Sequence, residues 1–183
     1  AAVICRAGGI AVLDASGNAK PGVTATGLTC IGMFTEMVDN SAGAAAALVV
    51  TPYFMHPSDK GVFQHYYDIA RAVDLPLILY NIPQVVDRYL SRAVVEDLAD
   101  IPNVVGIKDS SGDLTYTMEL LEYVGDRIDV FVGHDEVVLP ALAGGATGMI
   151  LASAQVYPEV WQAVLHLVAE GNLPAARKAQ LQV

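Results

Sequence analysis

From residue 47 onward the chain repeats one plan: a short apolar run rich in β-formers, a polar loop, then a stretch with helical spacing. The apolar runs are Ala47–Tyr53 (ALVVTPY), Leu77–Asn81 (LILYN), Val104–Asp109 (VVGIKD), Asp129–Gly133 (DVFVG) and Thr147–Ser153 (TGMILAS). Their starts lie about 18 to 30 residues apart, the length that a crossover between parallel neighbours needs. None alternates apolar with polar residues, so each run is expected to be buried on both faces, as parallel strands are.

The stretches between the runs read as helices. Gly61–Val73 sets Val62, Tyr66, Ile69 and Val73 on one stripe. Ser91 stands where it can cap RAVVEDLA. Thr115–Val124 is expected to turn Met118, Leu120 and Leu121 inward. Pro158 suits a first helical turn, Gly171 a helix end, and Pro174 the start of a further helix.

Successive βα units leave a (β/α) barrel or an open doubly wound sheet. The sheet usually carries a glycine-rich phosphate loop, and neither G-x-G-x-x-G nor G-x-x-x-x-G-K-[ST] occurs here. A (β/α)8 barrel is therefore favoured. Toward the start, Pro21–Gly27 reads as a strand end, Leu28–Ala42 as a helix and residues 8–20 as loop. The count reaches six or seven strands, and 183 residues fall short of the roughly 250 typical of this barrel. The expectation is a barrel portion over 1–171, incomplete on its N-terminal side and indistinct over 1–42. Residues 172–183 would begin a C-terminal helical region.

Composition narrows the function. Hydrophobic residues make up 54% and charged residues 16%, which excludes intrinsic disorder. No run of 18 apolar residues is free of charge, Gly or Pro, so a spanning helix is not expected. The net charge of -10, with no basic run, argues against nucleic acid and anionic membrane as partners. Cys5 and Cys30 form neither a disulfide framework nor a zinc pattern, and a reducing cytoplasm is the expected setting.

Active residues of a parallel barrel sit at the C-terminal ends of its strands. The polar candidates there are Thr51, Tyr53, Tyr80, Asn81, Lys108, Asp109, the Gly133–His134–Asp135 run and Ser153. Lys108 stands out because its stem must rise through an apolar layer. Burial disfavours an ammonium, and a neutral amine can attack a ketone to form a Schiff base. The same position also suits a lysine that reaches out to solvent. Tyr80 ends the preceding strand, where a phenol could relay protons or could equally be a core tyrosine bonded to a carbonyl. His56, His65, His134 and His166 lack metal-ligand spacing. His65 and His166 fall in helical stretches, while the His134–Asp135–Glu136 run suits either ligand binding or a helix cap.

Taken in order, TPYFMHPSDKGVFQHYYDIA, LPLILYNIP, NVVGIKDSSGDL and VGHDEVVLPALAGGATG resemble the dihydrodipicolinate synthase/N-acetylneuraminate lyase family of class I aldolases. The resemblance runs from about Gly43 to Gln180 and rests on Y-N-x-P and G-x-K-[DE]-x-[ST]-G-[DN]. It implies a (β/α)8 barrel, a homo-oligomer (dimer or tetramer), a small 2-oxo acid substrate and no cofactor or metal. It also implies that Lys108 is the Schiff-base lysine and Tyr80 the proton relay. Ile150 would line the pyruvate pocket with its carbonyl, and Tyr53 would lie in the segment that reaches a neighbouring subunit. Thr51 and Gly133 are added as substrate contacts from their strand-end positions.

Three departures shape the substrate expectation. The family's carboxylate-binding G-T-T-G-E segment has only a partial echo in TATG at 24–27. The arginine that follows Y-N-x-P in the synthases is replaced within Gln84–Val85–Val86, and the second tyrosine of P-Y-Y is Phe54. Loss of a bidentate arginine–carboxylate contact weakens the hold on a semialdehyde amino acid. The expected activity is thus reversible C–C cleavage of a 2-oxo acid such as a 2-keto-3-deoxy sugar acid. Dihydrodipicolinate synthase, a family dehydratase and a non-catalytic binding homologue are the alternatives.

Overall fold

The computed structural model of the chain describes residues 4–6, 9–13, 19–21, 46–53 and 56–183. Three short strands come first: β1 (Ile4–Arg6), β2 (Gly9–Leu13) and β3 (Ala19–Pro21), paired antiparallel in that order. This corrects the loop expected over 8–20. The run GIAVL is apolar, with β-branched Ile10 and Val12, and it pairs on both sides. Pro21 closes β3. The rest of the Pro21–Gly27 strand end and the Leu28–Ala42 helix lie outside the described residues.

Among the described residues the main sheet holds five parallel strands: β4 (Ala47–Val50), β5 (Leu77–Asn81), β6 (Val104–Asp109), β7 (Asp129–Val132) and β8 (Gly148–Met149). They lie side by side in chain order, each paired in parallel with the next. A doubly wound sheet reverses its order at a switch point, and this one does not. The described part is a run of consecutive βα units of a (β/α) barrel. β4 ends at Val50 rather than Tyr53, because Pro52 has no N–H to continue the ladder.

Seven α-helices are described: α1 (Asp59–Ala72), α2 (Pro83–Val86), α3 (Arg92–Leu98), α4 (Leu114–Val124), α5 (Val138–Ala143), α6 (Pro158–Ala169) and α7 (Leu173–Gln180). No helix among the described residues is long and apolar enough to cross a membrane. Ser58 and Asp113 cap α1 and α4 by accepting from backbone N–H groups. Ser91 holds the cap position of α3, but its hydroxyl donates to Asp59 Oδ2 at 2.7 Å instead. Met118 is 40% exposed, which corrects its inward placement. The buried stripe of α4 is Tyr116, Thr117, Leu120 and Val124, and Met118 lies off it.

The sheet buries two different faces. Ala47, Leu77, Leu79, Val104, Ile107 and Val130 pack outward against helical residues such as Val62, Tyr66, Leu98 and Leu120. Ile78, Phe131 and Ile150 form the inner cluster with Ala46, and Leu48 and Val105 pack against it. Simple alternation from Val104 would send Ile107 inward and Lys108 toward the helices. The register prevents this. Leu77 pairs with Val104, but Ile78 pairs with Gly106, so Val105 is one extra residue in β6. The shift puts Ile107 outward and Lys108 inward.

Tyr66 fastens α1 to the sheet. Its hydroxyl donates to Val49 O at 3.1 Å and lies 3.2 Å from Thr51 Oγ1, which donates to Tyr80 O at 3.3 Å. Burial pushes the Tyr66 phenol up to about 12, while its bond to Thr51 acts the other way. The ordinary value near 10 applies to the unfolded chain. The folded state therefore keeps a proton that the unfolded state loses, and stability falls as pH rises from 10 toward 12. Tyr66→Phe is expected to start about 1 kcal/mol less stable at pH 8, because it removes a buried hydrogen bond. Above pH 10 its stability should fall less steeply than that of the unaltered protein in urea unfolding.

Candidate active site

Tyr80 and Lys108 face each other as register partners on β5 and β6, both turned to the inner face. Lys108 Nζ lies 4.3 Å from the centroid of the Tyr80 ring, within cation–π reach. Both side chains are half-buried at the C-terminal ends of their strands. The wall below them is Ile78, Phe131 and Ile150, all buried.

Gly133, just past β7, shapes the lysine's path. A Cβ there would lie 2.7 Å from Lys108 Cε and 2.0 Å from Ser110 Oγ. Only a glycine lets the lysine stem rest on this backbone. Gly133 N donates to Asp109 O at 2.7 Å, and Ile150 N donates to Val132 O at 2.8 Å, so both loops continue the sheet's hydrogen bonding. Lys108, Tyr80, Gly133 and Ile150 thus converge on the inner face.

The other two expected residues lie elsewhere. Thr51 is fully buried and its hydroxyl is held by Tyr66 on the helix-facing side. From there Thr51 supports the Tyr80 carbonyl from behind. Tyr53 is 58% exposed at the sheet's rim.

Several further polar groups ring the site: His134 was among the strand-end candidates, whereas Ser110, Gln84 and Tyr116 were not. Ser110 is buried, and among the described residues its Oγ has no hydrogen-bond partner. Its position two residues past a strand-end lysine was the available signal. His134 packs its ring against Gly112, whose φ of +73° suits a glycine, and its buried Nδ1 has no partner among the described residues. No side-chain cap forms at His134. Instead the Gln180 amide donates to the carbonyls of Asp135 and Glu136. Gln84 Nε2 donates to Ser110 O at 3.1 Å and Ser111 O at 2.6 Å, joining the loops after β5 and β6. Behind them the Tyr116 hydroxyl donates to Leu90 O. Burial, and then the Asp109 carboxylate, push the Tyr116 phenol far above its ordinary value, so it remains a donor. Among the described residues no three His, Cys, Asp or Glu side chains gather as a metal site.

The profile of the Dihydrodipicolinate synthetase family matches residues 32–183. The chain belongs to that family. The 4-hydroxy-tetrahydrodipicolinate synthase of Thermomicrobium roseum is 36% identical over 169 residues, covering 91% of this chain and 56% of its own. The synthase of the same name from Methanothrix thermoacetophila is 38% identical over 138 residues, 75% of this chain and 47% of its own. The chain spans about half the length of these relatives.

Solved structures of the family agree. The chloride-inhibited dihydrodipicolinate synthase of Acinetobacter baumannii, complexed with pyruvate, superposes with a TM-score of 0.71 at 38% identity. That match covers 74% of this chain and 46% of the other. A prophage protein of E. coli K12 from the same family, also in complex with pyruvate, gives 0.72 at 28% identity, over 76% and 48%.

The packing around Gly133 makes a direct prediction. Gly133→Ala should lose about 1–3 kcal/mol in urea unfolding, the usual cost of overpacking. Adding Ser110→Gly should recover part of the loss, since it removes the nearer clash. An unchanged midpoint for Gly133→Ala would contradict the packing described.

Proposed function

We propose that this chain carries the Schiff-base centre of a pyruvate-dependent class I aldolase, with Lys108 as nucleophile and Tyr80 as proton relay. The observation that carries the reading is the Tyr80–Lys108 rung, turned inward at the strand ends of a barrel. The pyruvate complexes of two family members support the choice of ketone.

The chemistry follows from that arrangement. The free amine of Lys108 adds to the keto carbon of pyruvate, and the carbinolamine loses water to give a protonated imine. The Tyr80 hydroxyl delivers and recovers protons at the oxygen that leaves and at the substrate hydroxyl. Loss of a proton from the methyl carbon gives an enamine, whose carbon attacks an aldehyde to form the new C–C bond. Hydrolysis of the resulting imine returns the lysine. Ile150 closes the pocket at the pyruvate end, and Gly133 keeps room for the lysine stem. Tyr53, exposed at the rim, is read as part of a face that meets a second copy in a homo-oligomer.

For the aldehyde, the names of the relatives favour condensation of the 4-hydroxy-tetrahydrodipicolinate synthase type. We therefore put this reading ahead of the 2-oxo sugar acid. A specific observation keeps the 2-oxo sugar acid reading in play. Val85, in the stretch where the synthases carry their arginine, is 67% exposed and apolar. The nearby Arg88 is committed to Asp59 and the carbonyl of Pro57. Product analysis with aspartate semialdehyde against a panel of 2-oxo sugar acids separates the two.

Borohydride reduction of the full-length protein with pyruvate tests the centre itself. A covalent mass increase is expected on the Lys108 peptide, and none in Lys108→Ala. Tyr80→Phe should form the adduct about 10²-fold more slowly, the lower range for loss of a general acid–base group. A protein that takes up no adduct would overturn the proposal.

A further inference from the structure

One residue beyond the Tyr80–Lys108 rung, β5 and β6 are joined again by Asn81 and Asp109, which are also register partners. This second rung faces away from the cavity and is sealed: Asn81 is 0% and Asp109 1% exposed. Resting on the Schiff-base reading above, we propose that Asp109, acting with Asn81, is the positioning residue that holds Lys108 and Tyr80 at their working separation.

The carboxylate is saturated with donors. Its Oδ1 accepts from Asn81 Nδ2 at 2.8 Å and from Ser111 N at 3.0 Å. Its Oδ2 accepts from Ser111 Oγ at 3.0 Å and from Thr117 Oγ1 at 2.7 Å. Among the described residues no lysine or arginine forms an ion pair with it. A buried anion held by neutral donors alone is costly unless its acceptor sites are filled. An ionised carboxylate also offers about four acceptor sites with no donor of its own, which suits these four partners. An amide in its place would turn N–H groups toward donors.

The network reaches each part that sets the inner rung. Asn81 Oδ1 accepts from Leu90 N at 2.9 Å, which ties the loop after β5 to the strand end beside Tyr80. Ser111 and Thr117 tie down the loop after β6 and the first turns of α4. Asp109 O receives Gly133 N, the backbone on which the lysine stem rests. Ser110 N donates to Asn81 O at 2.9 Å and closes the two strands together. A side chain on the helix-facing side thus fixes the direction of the one immediately before it on the cavity side, because strand neighbours cannot turn independently.

A purely structural role predicts a different result from a positioning role. The measurement is the rate of borohydride-trapped imine formation with pyruvate, per folded molecule, in the full-length protein and its variants. Asp109→Asn is expected to lower the maximal trapping rate by up to about 10²-fold, the scale of a small misplacement of reacting groups. The pyruvate concentration for half-maximal trapping should change much less, since the contacts to bound pyruvate remain. The exchanged pair Asn81→Asp/Asp109→Asn restores an amide–carboxylate bond across the rung and should recover part of the rate lost by Asp109→Asn. If Asp109→Asn does not fold, Thr117→Val removes a single donor at constant shape and should show a severalfold fall. Variants that lose stability but trap pyruvate at the unaltered rate would overturn the positioning role. An unaltered protein that forms no adduct would remove the Schiff-base reading, and this inference with it.

Discussion

Between β5 and β6 the pairing steps from Leu77–Val104 to Ile78–Gly106, and β6 gains one residue on its neighbour. Side chains alternate along a strand, so a single added residue reverses every direction after it. Ile107 turns out to the helices and Lys108 turns in beside Tyr80. Without the step, Lys108 would be driven into the outer apolar layer of Leu79, Leu98 and Leu120, where an amine has no water and no partner. Gly106 marks the place, with a Cβ position 3.0 Å from Asp129 O and 3.2 Å from the Phe131 ring.

Two layers of different chemistry then hold the rung. On the inner face, Ile78, Phe131 and Ile150 supply a dry wall with no polar side-chain atoms to compete for the amine or the phenol. On the outer face, polar residues at the strand ends are satisfied in place: Thr51 by Tyr66 and Asn81 by Asp109. The layers meet in the backbone, where Thr51 bonds the Tyr80 carbonyl and Asp109 O receives Gly133 N. The proposed chemistry needs an amine and a phenol kept close together with little freedom, and the polar ends on the helix side supply that restraint. The apolar interior alone would leave the strand ends free to fray.

Much of this was legible in the sequence. LILYN and VVGIKD begin and end as strands where their apolar runs do, because parallel strands buried on both faces show up as continuous apolar segments. Pro158 and Gly171 bound α6 for local reasons of backbone geometry. What stayed hidden depends on direction rather than on residue type. Thr51 and Lys108 both stand near strand ends, yet one faces the helices and the other the cavity, and the difference lies in strand phase and the β6 step. Ser91 was expected to cap its helix and instead serves Asp59, a partner 32 residues away that no local pattern encodes. The short strands β1–β3 escaped because isolated runs of three to five residues carry little periodic signal.

Membership of the Dihydrodipicolinate synthetase family accounts for the order of the strands and for the motifs that end them. The proposed capture of a ketone by Lys108 is the claim on which the functional reading stands. A crystal structure of the full-length protein grown with pyruvate addresses it most directly. Continuous density is expected from Lys108 Nζ to the keto carbon of pyruvate, with the Tyr80 hydroxyl within hydrogen-bond reach of the bound molecule. Pyruvate seated away from Lys108, or bound in the cavity as a free ketone while the amine points elsewhere, would contradict it.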